Sequence, residues 1–388
     1  MKITRIELLP LSSPLKHIFK MREETLSSID SVVIRIHTDE GIVGIGDTGN
    51  TSPWYRGETQ DSIMAIIAKV FAPEILLGQD PFEIEKIVAR MDFLARDNHQ
   101  AKALVDYALH DIKGKALGVP AYQLLGGKSV EKVRLGWVMS ADQIDEAVAM
   151  AQSAVNEGFD LLKLKTGGVD LNEDIRMITA VREAVGPDIE MFIDVNGHWH
   201  YETALKAIRK LEPCNLAFIE QPLPYWDIDG MARLRGQVAT PIYADESAQD
   251  LWDLNNIIRK DAADGLMIKV PKAGGLLKSQ RWIALASAAG LPVMCGCMGG
   301  SGIEAAAYTH LLAANEWASR FRHENLGPLH IHDVFNTVDQ PITDDLARVV
   351  PRYQGGYAYL PEGPGLGVEL NEDLVPERIT RGMSPVSV

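Results

Sequence analysis

Short apolar runs alternate with amphipathic stretches from residue 128 to about residue 350. The runs are typical of parallel strands covered on both faces, and the stretches between them repeat apolar residues at helical spacing. Repeated strand and helix units of this length imply parallel pairing. The pattern therefore predicts a barrel of alternating strands and helices, with helices over residues 143–156, 172–185, 201–211, 228–235, 252–260, 276–289 and 302–314.

The first 127 residues have a different pattern, which predicts an α+β capping domain. Strands are expected over 3–9, 31–38 and 41–46, and the region from 59 to 118 has helical periodicity. A polar stretch at about 16–29 is predicted to be a lid loop. Residues 351–388 are rich in glycine and proline, and we expect them to return to the capping domain.

Five of the predicted strands end at an ionisable residue. After Lys165 the series continues with Asp194, Glu220, Asp245 and Lys269, at intervals of 29, 26, 25 and 24 residues. Each interval is the length of one strand, one loop and one helix, so these side chains should lie at the same end of successive strands. The C-terminal ends of barrel strands are where such folds carry their chemistry.

Lys163 and Lys165 lie two residues apart on one apolar run and should point the same way, since a strand has a period of two. Two like charges in one desolvated pocket lower the pKa of an ammonium group. We therefore expect a lysine that acts as a base near neutral pH.

The three acids give hard oxygen ligands facing one point, which suits Mg²⁺ or Mn²⁺ better than Zn²⁺. The alternative is that each acid only caps the following helix, but three acids in register between lysines favour a metal site. A divalent ion beside lysine bases would stabilise the enediolate that forms when the carbon next to a carboxylate loses its proton.

Charge and composition narrow the possible partners. The formal net charge is -15 and the pI is about 5.1, which opposes nucleic-acid and anionic-membrane binding. No apolar run is long enough to span a bilayer, and the N-terminal residues alternate like a strand. We expect a cytoplasmic protein with a small-molecule substrate. Its three cysteines are too few for a disulfide framework.

The motifs resemble the muconate-lactonizing-enzyme subgroup of the enolase superfamily, in which a lysine base with Mg²⁺ is an established pattern. The resemblance rests on Lys163-Leu-Lys165, Asp194-Val-Asn196, Glu220-Gln-Pro, Asp245-Glu246-Ser and Lys269, and it runs the length of the chain. It implies a (β/α)7β modified TIM barrel of the α/β class with an α+β cap. By resemblance Asp194, Glu220 and Asp245 would bind the metal, Lys165 and Lys269 would be bases on opposite faces of the substrate, and Lys163 would assist electrostatically.

Further residues are candidates for substrate contact. Where muconate cycloisomerases carry a glutamate after the seventh strand, this chain has Gly299 and Gly300, which predicts a substrate that is bulkier or carries an additional anionic group. Glu324 matches an acid of the eighth strand and is expected to face the site. The remaining candidates are Asn196, Glu246, Phe19, Met21, Trp54 and Tyr55.

The leading hypothesis is a metal-dependent isomerase of a carboxylic acid, either a cycloisomerase or a racemase/epimerase, assembled as a homo-oligomer. A dehydrating lyase starts with the same proton abstraction and is the nearest alternative. A Schiff-base aldolase that uses Lys165 without a metal and a non-catalytic binding protein represent other classes.

Overall fold

The structure is a computed structural model that describes residues 1–20, 24–167 and 170–388. The capping domain begins with a long antiparallel hairpin. The strands of the described chain are β1 (Ile3–Lys20), β2 (Thr25–Thr38), β3 (Val43–Asp47), β4 (Lys132–Arg134), β5 (Trp137–Met139), β6 (Leu161–Lys165), β7 (Glu190–Asp194), β8 (Ile219–Glu220), β9 (Ile242–Ala244), β10 (Gly265–Ile268), β11 (Val293–Cys295), β12 (Tyr353–Gln354), β13 (Tyr357–Tyr359) and β14 (Val386–Ser387).

The α-helices are α1 (Pro53–Arg56), α2 (Gln60–Ile66), α3 (Ile84–Leu94), α4 (His99–Leu117), α5 (Ala121–Leu124), α6 (Ile144–Asn156), α7 (Leu171–Val185), α8 (Tyr201–Leu211), α9 (Ile228–Arg235), α10 (Leu251–Lys260), α11 (Val270–Ala273), α12 (Leu276–Ala288), α13 (Gly302–Ala314), α14 (Gly327–His332) and α15 (Val375–Arg378). A π-helix follows α2 at Ile67–Leu76, and short 3-10 helices lie at Glu212–Cys214 and Ala318–Arg320.

The capping sheet has the strand order β14, β1, β2, β3, with antiparallel pairing throughout. Ile6 and Leu8 are fully buried, whereas Glu7 between them forms ion pairs with Arg35 and His37 on the other face. This alternation is the signature of a sheet with one buried face. The predicted strands over 3–9 and 31–38 are confirmed, and the third begins slightly later than predicted.

The loop predicted over 16–29 is largely strand. β1 continues to Lys20 and β2 starts at Thr25, with Phe19 paired with Leu26. The register shifts between Pro14 and Phe19, which breaks the alternation of apolar and polar residues. Because strands are recognised by that alternation, this shifted part of the hairpin was mistaken for a loop.

Helix α4 joins the capping sheet to the barrel. A Cβ atom at Gly44 or Gly46 would collide with backbone oxygens of α4, so only glycine allows β3 to approach the helix this closely. On its other side, Asp106 Oδ2 accepts a hydrogen bond from Leu276 N–H at 2.6 Å, and His99 Nδ1 lies 2.7 Å from the Lys272 carbonyl oxygen. The helix is therefore buried between the two parts.

In the described part of the chain, the barrel sheet contains seven parallel strands in the order β5 to β11. Helices α6 to α10, α12 and α13 match the predicted helices, and three of them have the predicted ends. The α/β class and the barrel with an α+β cap are confirmed.

The barrel ring closes through His323, which forms hydrogen bonds to the segment that leads into β5 and to the end of β11. The backbone N–H of His323 donates to the Arg134 carbonyl at 2.9 Å, and the backbone carbonyl of His323 accepts from Gly136 N–H at 2.9 Å. On the other side, Glu324 N–H donates to the Cys295 carbonyl at 2.7 Å, and the ring Nδ1 of His323 accepts from Cys295 N–H at 2.9 Å. Residues 323–324 thus take the eighth strand position between β11 and β5.

We expect the folded protein to lose stability as the pH falls from about 6.5 to about 4, in part through His323. Burial lowers the pKa of His323 to about 4 from its ordinary 6.5, because a charged ring would be desolvated and could not accept from Cys295 N–H. In this range the unfolded chain binds a proton that the folded chain does not, so the free energy of unfolding falls, by up to roughly 3 kcal/mol for this group.

Urea titrations of the unaltered protein and of His323→Gln at pH 7.5 and pH 5 check this expectation. His310, which is also buried, and His330, which is half-buried, are kept in both proteins and serve as the internal control. The difference in free energy of unfolding between the two proteins should shrink at pH 5, and an unchanged difference would contradict the assignment.

Candidate active site

Three carboxylates lie at the C-terminal ends of three neighbouring barrel strands. Asp194 is the last residue of β7, Glu220 is the last residue of β8, and Asp245 directly follows β9. In the register Lys165 pairs with Asp194, and Asp194 pairs with Glu220. All three carboxylates are fully buried. The structure therefore brings the predicted acids together at the C-terminal ends of their strands.

Lys163 and Lys165 point to the same side of β6, as the strand period predicts. Lys163 Nζ lies 3.0 Å from Asp194 Oδ2, 2.8 Å from Glu220 Oε2 and 2.9 Å from Glu324 Oε1. Lys165 Nζ lies 2.6 Å from the same Asp194 oxygen. Lys163 is thus the centre of a carboxylate cluster, and Lys165 lies at its edge.

Lys269 approaches the cluster from β10, which lies beyond the three acidic strands. Its Nζ is 2.6 Å from Asp245 Oδ2. The ring of Tyr55, from the capping domain, lies with its centroid 4.4 Å from the same nitrogen, within the range of a cation–π interaction. The cap and the barrel therefore both contact this lysine.

The carboxylates, and not the neighbouring lysines, control the charge of these ammonium groups. Burial lowers the pKa of Lys165, but the negative charge of Asp194 outweighs it and the pKa is raised. For Lys269, burial is outweighed in the same way by Asp245, and for Lys163 by Asp194 and Glu220. The expectation of a lowered lysine pKa is therefore wrong for these side-chain positions, since it counted the like charges and left out the opposite ones.

The pKa values of the carboxylates Asp194 and Glu220 shift in opposite directions. Burial raises the pKa of Asp194, but the charges of Lys163 and Lys165 outweigh it and the pKa is lowered. Glu220 has its pKa raised well above the ordinary value, by burial first and by the charge of Asp194 second. Glu220 is thus the carboxylate with the least compensated charge.

The donor set fits a hard divalent cation. Glu220 Oε1 is buried and has no hydrogen-bond partner in the described chain, while Oε2 has the ion-pair contact with Lys163 but no hydrogen-bond geometry. Among the described residues no group of three or more His, Cys, Asp or Glu side chains is arranged around one point for a metal ion. Lysine ammonium groups contact the oxygens of Asp194 and Asp245. Carboxylate oxygens with an uncompensated buried charge are nevertheless the ligands that such ions prefer.

Asn196 and Glu246 form a hydrogen-bonded link that begins at Lys165. Asn196 Oδ1 accepts from Lys165 Nζ at 3.1 Å, and Asn196 Nδ2 donates to Glu246 Oε1 at 2.8 Å. Burial, together with the charge of Asp245, raises the pKa of Glu246. Neither Asn196 nor Glu246 lines the cavity described below, so both act here as supports for charged neighbours.

Sequence reasoning missed Lys272, which is bound to Asp245 more fully than Lys269 is. Its Nζ lies 2.5 Å from Asp245 Oδ1, 2.7 Å from the Asp245 carbonyl oxygen and 3.1 Å from the Met267 carbonyl oxygen. Lys272 follows Lys269 by three residues, on the short helix α11. A spacing of three places two side chains on one face of a helix, and that signal could have identified it.

An apolar cavity adjoins the lysines. The lining includes Lys163, Lys165 and Lys269, together with four of the predicted contacts, Phe19, Tyr55, Gly299 and Glu324. The hairpin β1–β2 and the barrel supply the apolar part of the wall, which includes Leu15, Ile18, Leu26, Ile29, Trp137, Val138, Met150, Met298 and Ile331.

Two other predicted contacts do not line this cavity. Gly300 packs against the buried Glu304, to which its N–H donates at 2.8 Å, and a Cβ there would collide with that carboxylate. Its lack of a side chain therefore makes room for Glu304 and not for substrate. Trp54 is 39% exposed and packs edge-on against Tyr55. Met21 lies outside the described residues.

Comparison with known proteins supports what the fold and the site indicate. Residues 5–126 match the mandelate racemase / muconate lactonizing enzyme N-terminal domain, and residues 146–374 match the enolase C-terminal domain-like family. The N-succinyl-L-Arg/Lys racemase of Bacillus cereus is 34% identical over 378 residues, which cover 97% of this chain and 98% of that protein. Muconate cycloisomerase 1 of Rhodococcus opacus is 34% identical over 384 residues, with 97% and 98% coverage.

A solved structure gives the same result for the whole chain. The mandelate racemase/muconate lactonizing family protein from Azoarcus sp. EbN1 superimposes with a TM-score of 0.95, at 58% identity and with 100% of both chains covered.

A capped barrel with acids and lysines at its strand ends defines an enzyme of the enolase superfamily. Within that superfamily the chain belongs to the mandelate racemase / muconate lactonizing enzyme family, and it is an isomerase. Membership implies the use of a divalent metal ion. In the part of the chain that the structure describes, no helix is both long and apolar enough to cross a lipid bilayer.

We expect Lys272→Met to lower the free energy of unfolding by about 3 kcal/mol, because it removes one partner of a buried ion pair and leaves the Asp245 carboxylate undercompensated. Lys260→Met is the matched control. Lys260 contacts Asp229 at the surface, where a single ion pair contributes less than about 1 kcal/mol. Urea unfolding of both variants measures the difference, and equal losses would contradict the structural role of Lys272.

Proposed function

We propose that this isomerase exchanges the proton on the carbon next to the carboxylate of a small carboxylic acid, as a racemase or epimerase. The observation that carries the proposal is that Lys165 and Lys269 line one cavity from strands on either side of the three acidic strands. A carbon placed between them would face one lysine on each side. The racemase among the relatives supports this reaction type.

Asp194, Glu220 and Asp245 would hold Mg²⁺ or Mn²⁺, since they offer hard oxygen ligands at adjacent strand ends. When bound, the ion would neutralise the negative charge that develops on the substrate carboxylate as the neighbouring carbon loses its proton.

The lysines perform the proton transfers. The charge of Asp194 favours the ammonium form of Lys165 in this structure, so Lys165 must lose a proton before it acts as the base. As the neutral amine, Lys165 Nζ would then remove the proton from one face, while Lys269 Nζ, as the ammonium, would deliver one to the other face. Asn196 holds Lys165 through its 3.1 Å hydrogen bond, and Tyr55 covers Lys269. Lys163, fixed by three carboxylates, contributes positive charge near the substrate carboxylate.

A cycloisomerase is the second candidate, favoured by the similarity to the muconate cycloisomerase. That reaction and a β-elimination each need one lysine as the acid or base. The other lysine would then contribute mainly charge. Replacing Lys165 and Lys269 one at a time therefore distinguishes these reactions from a racemisation.

We expect Glu220→Gln to weaken Mg²⁺ binding at least about tenfold and to abolish metal-dependent turnover, because one hard anionic ligand becomes neutral. Calorimetric titration with Mg²⁺ measures binding independently of activity, and circular dichroism checks the fold. Glu212→Gln, an exposed acid in the segment before β8, is the matched control. Full activity after exhaustive chelation would contradict a metal-dependent reaction.

We expect Lys165→Ala and Lys269→Ala each to stop net inversion, with a loss of roughly 10²-fold to 10⁴-fold. Each variant should still exchange the α-proton of the one enantiomer whose proton faces the remaining lysine. Deuterium incorporation into each enantiomer in D₂O, followed by NMR, is the measurement, and Lys206→Ala, an exposed lysine on α8, is the control.

Complementary enantiomer selectivity of the two variants supports the racemase. Loss of exchange in only one variant favours the one-base reactions, and undiminished exchange in both removes these lysines from the mechanism.

A further inference from the structure

A short segment of the cap carries Tyr55 over Lys269. This segment, residues 50–58, contains the single-turn helix α1, which begins at Pro53 and ends before the left-handed Gly57 (φ 73°). A helix as short as this one is not stable by itself. The place of the Tyr55 ring, whose centroid lies 4.4 Å from Lys269 Nζ, therefore depends on the contacts that hold the two ends of the segment.

The first turn of α4 holds both ends of this segment. The carboxylate of Glu58, a residue that is 3% exposed, accepts hydrogen bonds from Gln100 N–H at 2.9 Å and from Ala101 N–H at 3.1 Å. At the other end, the side-chain Nε2 of Gln100 donates to the Asn50 carbonyl oxygen at 3.2 Å. Residues 50 and 58 are thus bound to one turn of one helix.

Helix α4 takes its N-terminal cap from Glu58. Asn98, the residue before the helix, has left-handed backbone (φ 63°), and its side chain forms no capping hydrogen bond within the described residues. The first turn of a helix has unpaired N–H groups and the positive end of the helix dipole, and both favour a carboxylate. The same pair of hydrogen bonds therefore completes the helix and fixes residue 58.

The same turn of α4 contacts the barrel next to Lys269. His99 Nδ1 lies 2.7 Å from the Lys272 carbonyl oxygen on α11, and Lys269 is the residue that precedes this helix. The first turn of α4 thus touches both the segment that carries Tyr55 and the helix that follows Lys269. One structural element therefore sets the distance between the ring and the ammonium group.

We propose that Glu58 is a positioning residue for Lys269: its carboxylate, bound to the first turn of α4, holds the Tyr55 ring against the ammonium group and closes that side of the cavity. The assignment rests on the proposed function only for the role of Lys269 in proton transfer. A carboxamide at residue 58 would turn an N–H group toward the helix N–H groups, so the segment would be released at residue 58 and stay bound at residue 50.

The rate at which a reagent modifies Lys269 measures the position of the ring. Reductive methylation of the folded protein with formaldehyde and dimethylamine-borane, followed by peptide mass spectrometry, gives the rate at each lysine, with the exposed Lys206 as the internal reference. Tyr55→Ala and Glu58→Gln should each raise the rate at Lys269 at least about threefold, because the cation–π contact is lost and the amine is uncovered. Tyr55→Phe keeps the ring and should leave the rate unchanged. An unchanged rate in Glu58→Gln overturns the proposal.

A double variant separates positioning from a general loss of structure. In the Tyr55→Ala protein, Glu58→Gln should change the rate at Lys269 less than about 1.5-fold, because its effect passes through the ring. A rise by the same factor with and without the ring overturns the proposal. Asp250→Asn is the matched control, since the Asp250 carboxylate also accepts from two backbone N–H groups at a helix start, those of Trp252 and Asp253 on α10. An equal rise at Lys269 in this control likewise overturns the assignment.

Gln100→Ala tests the other end of the segment. This variant removes the side-chain donor to Asn50 and leaves both hydrogen bonds to Glu58, which come from backbone N–H groups. The cap of α4 is therefore retained, and the test stands even where Glu58→Gln fails to fold. The rate at Lys269 should rise in Gln100→Ala, and only while Tyr55 is present. An unchanged rate overturns the hold of α4 on the segment.

Methylation and deuterium exchange together separate this inference from the proposed function. A methylation rate at Lys269 that depends on Glu58 through Tyr55, in a protein whose Lys269→Ala variant keeps full α-proton exchange with both enantiomers, removes the proton-transfer role and leaves the positioning. A methylation rate that is independent of Glu58, with the enantiomer-selective loss of exchange in Lys269→Ala, removes the positioning and leaves the reaction.

Discussion

Compensation of buried charge is the constraint on which the site depends. Lys163, Lys165, Lys269 and Lys272 each have a carboxylate oxygen within 3.0 Å, and an isolated ion in the interior would be far too costly to retain. The strands that carry these groups must therefore keep their register, because a slip of one residue would turn every side chain to the opposite face. Chemistry and fold stability thus rest on the same contacts.

The barrel and the cap contribute different parts of the site. The barrel supplies the lysines and acids from strands β6 to β10, whereas the hairpin β1–β2 supplies much of the apolar wall. Tyr55, which covers Lys269, is a cap residue that contacts a lysine of the barrel directly. The closeness of β3 to α4 at Gly44 and Gly46 holds the capping sheet against the helix that contacts the barrel through Asp106 and His99.

The sequence predicted the barrel and the position of its acids because each signal was a regular spacing. Lys165, Asp194, Glu220 and Asp245 follow one another at the length of a strand and helix unit, and parallel pairing then places them in one row. The π-helix after α2 had no such spacing and was not predicted. The eighth strand position was expected at Glu324 only from the resemblance, and the hydrogen bonds by which His323 closes the ring were not predicted.

Other features depended on neighbours that are distant in the chain. The raised pKa of Lys165 follows from Asp194, which is 29 residues away, and pattern reasoning could not weigh that contact against burial. Gly300 was interpreted as free space, since the sequence does not show that Glu304 fills it. The hairpin was interpreted as a loop, since the register shift hides its pairing.

The long hairpin separates selectivity from reactivity along the chain. Leu15, Phe19 and Leu26 reach the cavity from the far end of two strands whose near ends belong to the buried capping sheet. Exchanging these side chains alters the wall of the cavity without disturbing a single charged contact around the lysines. Selectivity for the ligand can therefore change through a few residues of this hairpin, while the lysines and acids, more than a hundred residues later in the chain, stay the same.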